Sequence, residues 1–190
     1  MTPITYVPKK LTTPPRTIDV PSAWVGNELI IEDLIERFRI TPKRCIEFGV
    51  QHGFSTAALA NYFTHVIGVD TFAGDEMAGI GDPDHTFNGT KEALKDFTNI
   101  TLARTSYQDW ISKDESEYDF IHIDIIHNYE DTYHCANWAV DKAPVVILHD
   151  TLSFPAVMEA CRDIAEDAWV NFYNYPHVHG LGILSRREIL

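Results

Sequence analysis

Short apolar segments rich in β-branched residues alternate with helical segments along most of this chain of 190 residues. Because neighbouring parallel strands need a crossover connection, the alternation predicts a mostly parallel sheet with helices on both faces. The last two predicted strands have no helix between them, so we expect an antiparallel hairpin at that edge. The fold class is therefore α/β with a seven-stranded sheet. The predicted strands are 44–48, 65–70, 100–103, 118–124, 144–150, 169–173 and 180–185.

Two segments interrupt this pattern. Prolines break up residues 1–20, which predicts an irregular N-terminal arm. Residues 21–190 show no internal repeat, and we expect them to form a single domain. Within that domain, the segment 71–85 is rich in Gly, Asp and Pro and predicts a long loop. Loops of that length inside a compact domain are often functional.

The charge balance narrows the range of partners. Lys and Arg total 15 against 28 Asp and Glu, a formal net charge of −13, so we expect no nucleic-acid partner and no anionic membrane surface. The N-terminal segment holds no continuous apolar stretch, which predicts neither a signal peptide nor a membrane span. Three cysteines without CxxC spacing favour reduced thiols. We therefore expect a cytoplasmic protein.

Acidic or histidine side chains stand at the ends of four predicted strands. Ligands of open parallel sheets bind beyond the carboxyl ends of the strands, so we expect these side chains to share one site. The four endings are Glu47-Phe-Gly, Asp70, Asp124 and His149-Asp150.

The turn after the first of these strands favours a nucleoside ligand over a dinucleotide. Gly49 and Gly53 allow a sharp turn and a close ligand approach, and the next helix presents free N–H groups. A dinucleotide fingerprint would have glycine where Gln51 stands. Glu47 would repel a pyrophosphate but suits a ligand that carries an ammonium and a sulfonium. A nicotinamide-dependent oxidoreductase is therefore disfavoured, although a purely structural turn explains the same glycine spacing.

Asp70 is the candidate ribose ligand. It follows the glycine turn by about twenty residues, where an acid accepts hydrogen bonds from ribose hydroxyls in nucleoside-binding folds. The alternative is a loop aspartate that caps the next segment.

Four motifs together resemble the class I S-adenosylmethionine-dependent methyltransferases, in particular methyltransferase domain family 24, which is related to catechol-type and macrocin-type O-methyltransferases. The resemblance covers about residues 42–185. It implies a Rossmann-like fold, S-adenosylmethionine as cofactor, and O-methylation of a small-molecule or sugar-like acceptor. The motifs are Glu47-x-Gly-x-x-x-Gly-x-Ser55, Val69-Asp70, Ile123-Asp-x-x-His-x-Tyr-Glu130 and Leu148-His-Asp-Thr151.

The resemblance also implies roles for individual residues around the cofactor. Ser106 would hydrogen-bond the adenine edge, and it could also cap a helix because Asp109 follows three residues later. Asp70 would bind the ribose. The remaining implied cofactor contacts are Glu47, Gly49, Gly53 and Ser55 around the methionine part, Thr71 and Phe72 beside the adenine, and Asp124.

His127 is the candidate general base, assisted by Asp124. It stands where catechol-type enzymes carry a catalytic lysine, and an imidazole with an unperturbed pKa of about 6.5 suits proton transfer at neutral pH. A histidine at the end of a strand is equally compatible with a packed structural role. The resemblance therefore implies that His127 is the base, and a structural role for this residue stays the alternative.

The same resemblance implies a metal site. Asp124, His149 and Asp150 match ligand positions for Mg²⁺ or another divalent ion, although histidine is a poor Mg²⁺ ligand. The chain departs from the family pattern at Ile125 and Ile126, where many members have Gly-Asp. This loss weakens the metal prediction and leaves open a non-catalytic, nucleoside-binding or interaction domain of the same fold.

Two further expectations concern partners. An aromatic cluster late in the chain could wall an acceptor pocket, and the arm or the edge hairpin could mediate a homodimer. The pair His177 and His179 reads as a surface or substrate-side feature, since no third metal ligand is evident. The aromatic cluster is Trp169, Phe172, Tyr173 and Tyr175.

Overall fold

The computed structural model describes residues 1–74, 79 and 81–190, and these form a sheet surrounded by helices. The strands are β1 (Ile4–Thr5), β2 (Arg44–Phe48), β3 (His65–Asp70), β4 (Ile100–Arg104), β5 (Phe120–Ile123), β6 (Val145–His149), β7 (Asn171–Tyr175) and β8 (Leu181–Ser185). The helices are α1 (Ile31–Arg37), α2 (Phe54–Ala60), α3 (Pro83–Ala93), α4 (Tyr107–Ile111), α5 (Tyr129–Lys142) and α6 (Pro155–Asp167), with a 3₁₀ turn (Asn27–Ile30) before α1. Across this described part, no helix is long and apolar enough to cross a membrane.

The strand order β1-β7-β8-β6-β5-β2-β3-β4 confirms the predicted α/β fold. Strands β2 to β6 pair in parallel, and β8 pairs antiparallel with both β6 and β7. The carboxyl ends of β3, β2, β5 and β6 consequently meet along one edge of the sheet. This edge is the expected ligand-binding edge of an open parallel sheet.

The described sheet has eight strands rather than the predicted seven, because the N-terminal arm contributes β1. Ile4 and Thr5 pair in parallel with Tyr173 and Asn174 of β7. Next to them, the Tyr6 hydroxyl donates to Asp33 Oδ2 at 2.6 Å from a fully buried position. A two-residue strand is too short to show a period-2 pattern, so no local pattern in the sequence predicts it. The division of the chain into an arm and one domain stays a prediction.

Alternating side chains of the central strands build two hydrophobic cores, one on each face. Cys45 and Phe120 face the core that contains α1 and α2. Ile46 and Ile121 face the core that contains α5 and α6. Because side chains alternate along a strand, Glu47 and the neighbouring polar positions of β5 lie on the α1–α2 face.

The predicted loop 71–85 ends earlier than expected, because α3 begins at Pro83. The Asp82 side chain accepts a hydrogen bond from the Asp84 N–H at 3.0 Å, and Pro83 occupies the first helical turn. Both residue types are typical of a helix start, and the Gly- and Asp-rich composition of the segment obscured them. Residues 75–78 and 80, the middle of the predicted loop, lie outside the described residues.

All three cysteines are free and buried, in line with the expected reduced thiols. Burial raises the pKa of Cys161 to about 12 and raises the pKa values of Cys45 and Cys135 well above their ordinary range. Their thiols are therefore unreactive packing groups.

Candidate active site

The turn between β2 and α2 brings the backbone against the end of β5. Gly49 has φ +90°, and a Cβ atom there would lie 1.7 Å from the carbonyl oxygen of Asp124. Gly53 has φ +87° and precedes the first residue of α2. Ser55 follows in the first turn of that helix and is buried. The glycine at position 49 thus has a steric cause within the protein, in addition to any role in admitting a ligand.

Asp70 ties this turn to the end of β3. Its Oδ2 atom accepts hydrogen bonds from the N–H groups of Val50 and Gln51, both at 2.8 Å. Its Oδ1 atom accepts another from the Phe72 N–H at 2.7 Å. A carboxylate has about four lone-pair sites, so about one acceptor site on Oδ1 remains for an external hydroxyl. The geometry supports both open readings of Asp70, a structural anchor and a ribose ligand.

The residues expected near an adenine follow two neighbouring strands, Thr71 and Phe72 after β3 and Ser106 after β4. Phe72 is buried against Phe87 of α3, with ring centroids 5.0 Å apart, and Thr71 is exposed. Ser106 caps α4, because its Oγ accepts a hydrogen bond from the Asp109 N–H at 3.1 Å. The capping alternative for Ser106 is therefore observed, and its hydroxyl proton stays free for a further acceptor.

Glu47 belongs to a fully buried polar cluster that the sequence did not reveal. The carboxylate accepts hydrogen bonds from Thr56 Oγ1 and from His122 Nδ1, the latter at 2.8 Å. Glu47 and His122 occupy paired positions of β2 and β5, and both side chains are 0% exposed. The Trp24 ring covers His122, with centroids 5.1 Å apart. The available sequence signal was one polar residue inside each of two apolar strands, Glu47 in β2 and His122 in β5.

Four of the predicted residues meet at the ends of β5 and β6. His127 Nε2 lies 2.8 Å from Asp150 Oδ2 and 3.6 Å from Asp124 Oδ1. His149 Nδ1 lies 3.3 Å from Asp124 Oδ2 and 3.2 Å from Asp150 Oδ2. Two imidazoles therefore share two carboxylates. The predicted catalytic pair and the predicted metal ligands form one cluster.

The cluster perturbs the pKa values of all four groups. Burial alone would lower the pKa of His127 and of His149, but the close contacts with the Asp124 and Asp150 carboxylates outweigh it and raise each pKa to about 9. Burial would likewise raise the pKa of each carboxyl group, yet the two imidazoles beside them hold both pKa values below their usual range. The charged forms of acid and imidazole stabilise each other.

His127 is held on two sides. Its ring stacks on Phe154, with centroids 4.1 Å apart and planes 9° from parallel. Neither ring nitrogen is exposed to solvent, and the side chain is 17% accessible. In this state the imidazole faces carboxylates, so an acceptor hydroxyl must displace one of these contacts to reach it.

The cluster fits a divalent cation. One ligand atom from each of Asp124, His127 and Asp150 lies within 4.8 Å of the other two. His149, the imidazole of the predicted metal set, contacts both carboxylates and has no well-formed hydrogen bond at either ring nitrogen. Two carboxylates and an imidazole are a donor set typical of divalent metals.

The loop between β7 and β8 reaches this cluster, whereas most of the predicted aromatic wall does not. His179 Nδ1 lies 4.0 Å from Asp150 Oδ1 and 2.8 Å from Ser153 Oγ. Trp169 is 93% exposed and stands just before β7. The first residue of β7 lies level with the start of β6, so Trp169 is at the end of the sheet opposite to the cluster. Phe172 and Tyr173 are buried in the two cores. The predicted acceptor-pocket wall is therefore wrong for Trp169, Phe172 and Tyr173. Strand β7 runs toward the cluster, so the residues at its start lie far from it.

Comparisons with known proteins agree with this geometry. The model of a family described as a methyltransferase domain, Methyltransf_24, matches residues 46–151, more than half of the chain. Among curated proteins, no sequence matches.

Several solved structures share the fold at low sequence identity. The S-adenosylhomocysteine-bound methyltransferase PaMTH1 from Podospora anserina has a TM-score of 0.65 at 14% identity, over 89% of this chain and 80% of that chain. For the O-methyltransferase NovP the TM-score is 0.64 at 14% identity, over 85% of this chain and 78% of that chain. A precorrin 8w decarboxylase from Methanobacterium thermoautotrophicum has a TM-score of 0.59 at 15% identity, over 88% of this chain and 91% of that chain. At these identities the likeness concerns the fold alone.

Proposed function

Because the chain belongs to the methyltransferase domain family 24, we propose that it transfers a methyl group from S-adenosylmethionine to an oxygen of a small-molecule or sugar-like acceptor. One observation carries the proposal. The glycine turn after β2, Asp70 at the end of β3 and the acid–imidazole cluster at the ends of β5 and β6 lie at the carboxyl ends of four neighbouring strands. A nucleoside ligand at the turn would therefore end beside the cluster.

The residues at this edge suit the cofactor. Asp70 keeps an acceptor site for a ribose hydroxyl, and Ser106 keeps a free hydroxyl proton for an adenine edge. Gly49 and Gly53 let the turn pack closely against Asp124 and Leu94, and the Phe72 ring, buried against Phe87, follows Asp70 in the chain. The remaining proposed contacts are Glu47, Ser55, Thr71 and Asp124. When bound, S-adenosylmethionine supplies an activated methyl group, and the protein contributes proximity and orientation.

We propose His127 as the group that takes the acceptor proton, with Asp124 orienting its ring. The raised pKa of about 9 means that His127 is protonated at neutral pH while both carboxylates face it. Proton transfer to this imidazole therefore requires that an acceptor or a cation first draws a carboxylate away. The base role is accordingly linked to occupation of the site.

A divalent cation, Mg²⁺ or another ion, would bind through Asp124, His149 and Asp150. Such an ion acts as a Lewis acid that favours the deprotonated form of an acceptor hydroxyl. The carboxylates of Asp124 and Asp150, which now face His127, would instead contact the ion.

The alternative is a domain of the same fold that binds a nucleoside or a partner without methyl transfer. Two observations favour it: Asp70 already satisfies three backbone N–H groups, and Ile125 and Ile126 stand where a Gly-Asp pair would add a carboxylate. The net charge of −13 speaks against a nucleic-acid acceptor in either case.

Calorimetry with S-adenosylmethionine and S-adenosylhomocysteine tests the cofactor. Binding of neither at millimolar concentration would refute the methyltransferase proposal. Binding without turnover in a broad screen of hydroxylated acceptors, with divalent ions present, would favour the non-catalytic alternative. With an acceptor in hand, we expect His127→Asn to lower kcat by about 10²- to 10⁴-fold and to leave S-adenosylhomocysteine binding unchanged.

A further inference from the structure

The turn Ser22–Asn27 lies across the carboxyl edge of the sheet, outside the segment matched by the family model. At one end, the Trp24 ring packs on His122 of β5. Toward the other, Gly26 approaches the β7–β8 loop so closely that a Cβ atom would lie 2.2 Å from His177 Nε2. The turn therefore runs from β5 to the β7–β8 loop, at the edge of the sheet where the cofactor is proposed to bind.

Polar atoms of this turn are buried without partners. The Asn27 side chain is 0% exposed, and neither its amide nitrogen nor its amide oxygen has a hydrogen-bond partner. Trp24 Nε1 and His122 Nε2 are also buried and unpartnered. Buried polar groups in folded proteins are almost always satisfied, because each unpaired group carries a desolvation cost. The Trp24 and His122 rings contact each other, and the Asn27 N–H donates to the Trp24 carbonyl, so the unpartnered side-chain atoms point to this turn as a ligand-binding segment.

The unpartnered atoms offer both donors and acceptors. The Trp24 N–H and the Asn27 amide N–H groups can donate to a carboxylate, while the Asn27 carbonyl can accept from an ammonium. His122 contacts Glu47 through Nδ1, which leaves its unpartnered Nε2 as a further polar contact for a ligand. The buried Glu47 carboxylate adds a negative charge that favours a nearby ammonium. This combination complements a zwitterionic amino-acid group.

We propose that Asn27 and Trp24 bind the amino-acid end of the cofactor, Asn27 contacting its ammonium and carboxylate and Trp24 Nε1 its carboxylate. The inference rests on the proposed function, since it takes S-adenosylmethionine as the ligand at the β2–α2 turn. It gives the segment before the family-matched region a direct part in cofactor binding.

Two ligands separate this role from a structural one. S-adenosylhomocysteine carries the amino-acid end, whereas 5′-methylthioadenosine has the same adenosine and lacks that end. In calorimetric titrations of the full chain, we expect Asn27→Leu to weaken S-adenosylhomocysteine binding by about 10- to 100-fold and to leave 5′-methylthioadenosine binding unchanged. Trp24→Phe, which keeps an aromatic ring on His122 and removes only the N–H, should show the same selectivity to a smaller degree.

Asn137→Leu on the exposed side of α5 is the matched control and should change neither affinity. An equal loss for both ligands in the Asn27 and Trp24 variants would assign the turn a structural role and overturn the inference. Unchanged S-adenosylhomocysteine affinity in both variants would do the same, and would mean that the buried atoms hold water only. If the wild type binds 5′-methylthioadenosine and S-adenosylhomocysteine equally well, the inference fails while the cofactor proposal survives; if it binds neither, both fail.

Discussion

The Nε2 atom of His127 lies 2.8 Å from the Oδ2 atom of Asp150. This contact decides the charge state of the candidate base, because the carboxylates facing the imidazole raise its pKa to about 9. The residue that the family resemblance marks as a proton acceptor is thus an imidazolium at neutral pH when the site holds neither cation nor acceptor. The contact gives rise to two pH-dependent predictions.

The first prediction concerns the titration of His127 itself. In protein treated with a chelator, the ring protons of His127 should titrate near pH 9 in an NMR experiment. Asp150→Asn removes one of the two charges that favour the imidazolium, so the pKa should fall. Asp163→Asn, which removes a negative charge beside the Tyr129 hydroxyl and lies outside the cluster, is the control and should leave the titration unchanged. A wild-type His127 that titrates near its ordinary value would contradict the described ion pair.

The second prediction is a loss of stability at alkaline pH. The folded-state pKa values of His127 and His149 are raised, so their contribution is fully present below the unfolded-state value and is lost as pH rises through about 9. Because both imidazoles share the same two carboxylates, we expect a combined loss on the order of 3 kcal/mol between about pH 6.5 and about pH 9.5. Urea unfolding of chelator-treated protein measures it. A stability that is flat over this window would count against the paired charges.

The sequence was sufficient for the architecture and for the meeting of the strand-end residues. Asp124, His149 and Asp150 follow neighbouring parallel strands, so their proximity follows from topology alone. The partners of Glu47 could not be predicted, because pairing with His122 depends on the register between β2 and β5. Register between strands far apart in sequence is set by the packing of both cores, and no local pattern encodes it.

The same limit applies to segments whose role depends on distant contacts. Strand β1 is only two residues long and is defined by its partner β7. The aromatic wall failed for a related reason: Phe172 and Tyr173 point to opposite faces of a strand whose direction is fixed by its pairing with β8. Spacing shows which residues share a face, but not which end of the sheet they reach.

The third prediction concerns Asp70, which both anchors the glycine turn and is proposed to bind the ribose. Asp70→Asn replaces one acceptor oxygen by a donor, which cannot accept from the Val50 and Gln51 N–H groups or face the Phe72 N–H. We expect S-adenosylhomocysteine affinity to fall by at least about tenfold in calorimetry. Asp84→Asn, an exposed acid in α3, is the control. An unchanged affinity in Asp70→Asn would remove this residue from the cofactor site.

The fourth prediction compares two glycines with opposite surroundings. At Gly49, a Cβ atom would lie 1.7 Å from the backbone oxygen of Asp124, and φ is +90°. Gly49→Ala must therefore move the end of β2 away from β5 or strain the backbone, and we expect a loss above about 4 kcal/mol in the free energy of unfolding. Gly89 lies within α3, and a Cβ atom there meets nothing within 4 Å.

Gly89→Ala should therefore stabilise the protein by up to about 1 kcal/mol, because alanine loses less backbone entropy in a helix. Thermal unfolding of the two variants beside the wild type gives both values from one experiment. A Gly49→Ala protein that unfolds at the wild-type temperature would show that β2 and β5 do not approach as closely as described. Since Asp124 leaves β5 at this contact, the same displacement should also separate Asp124 from His149 and abolish tight cation binding in any folded fraction.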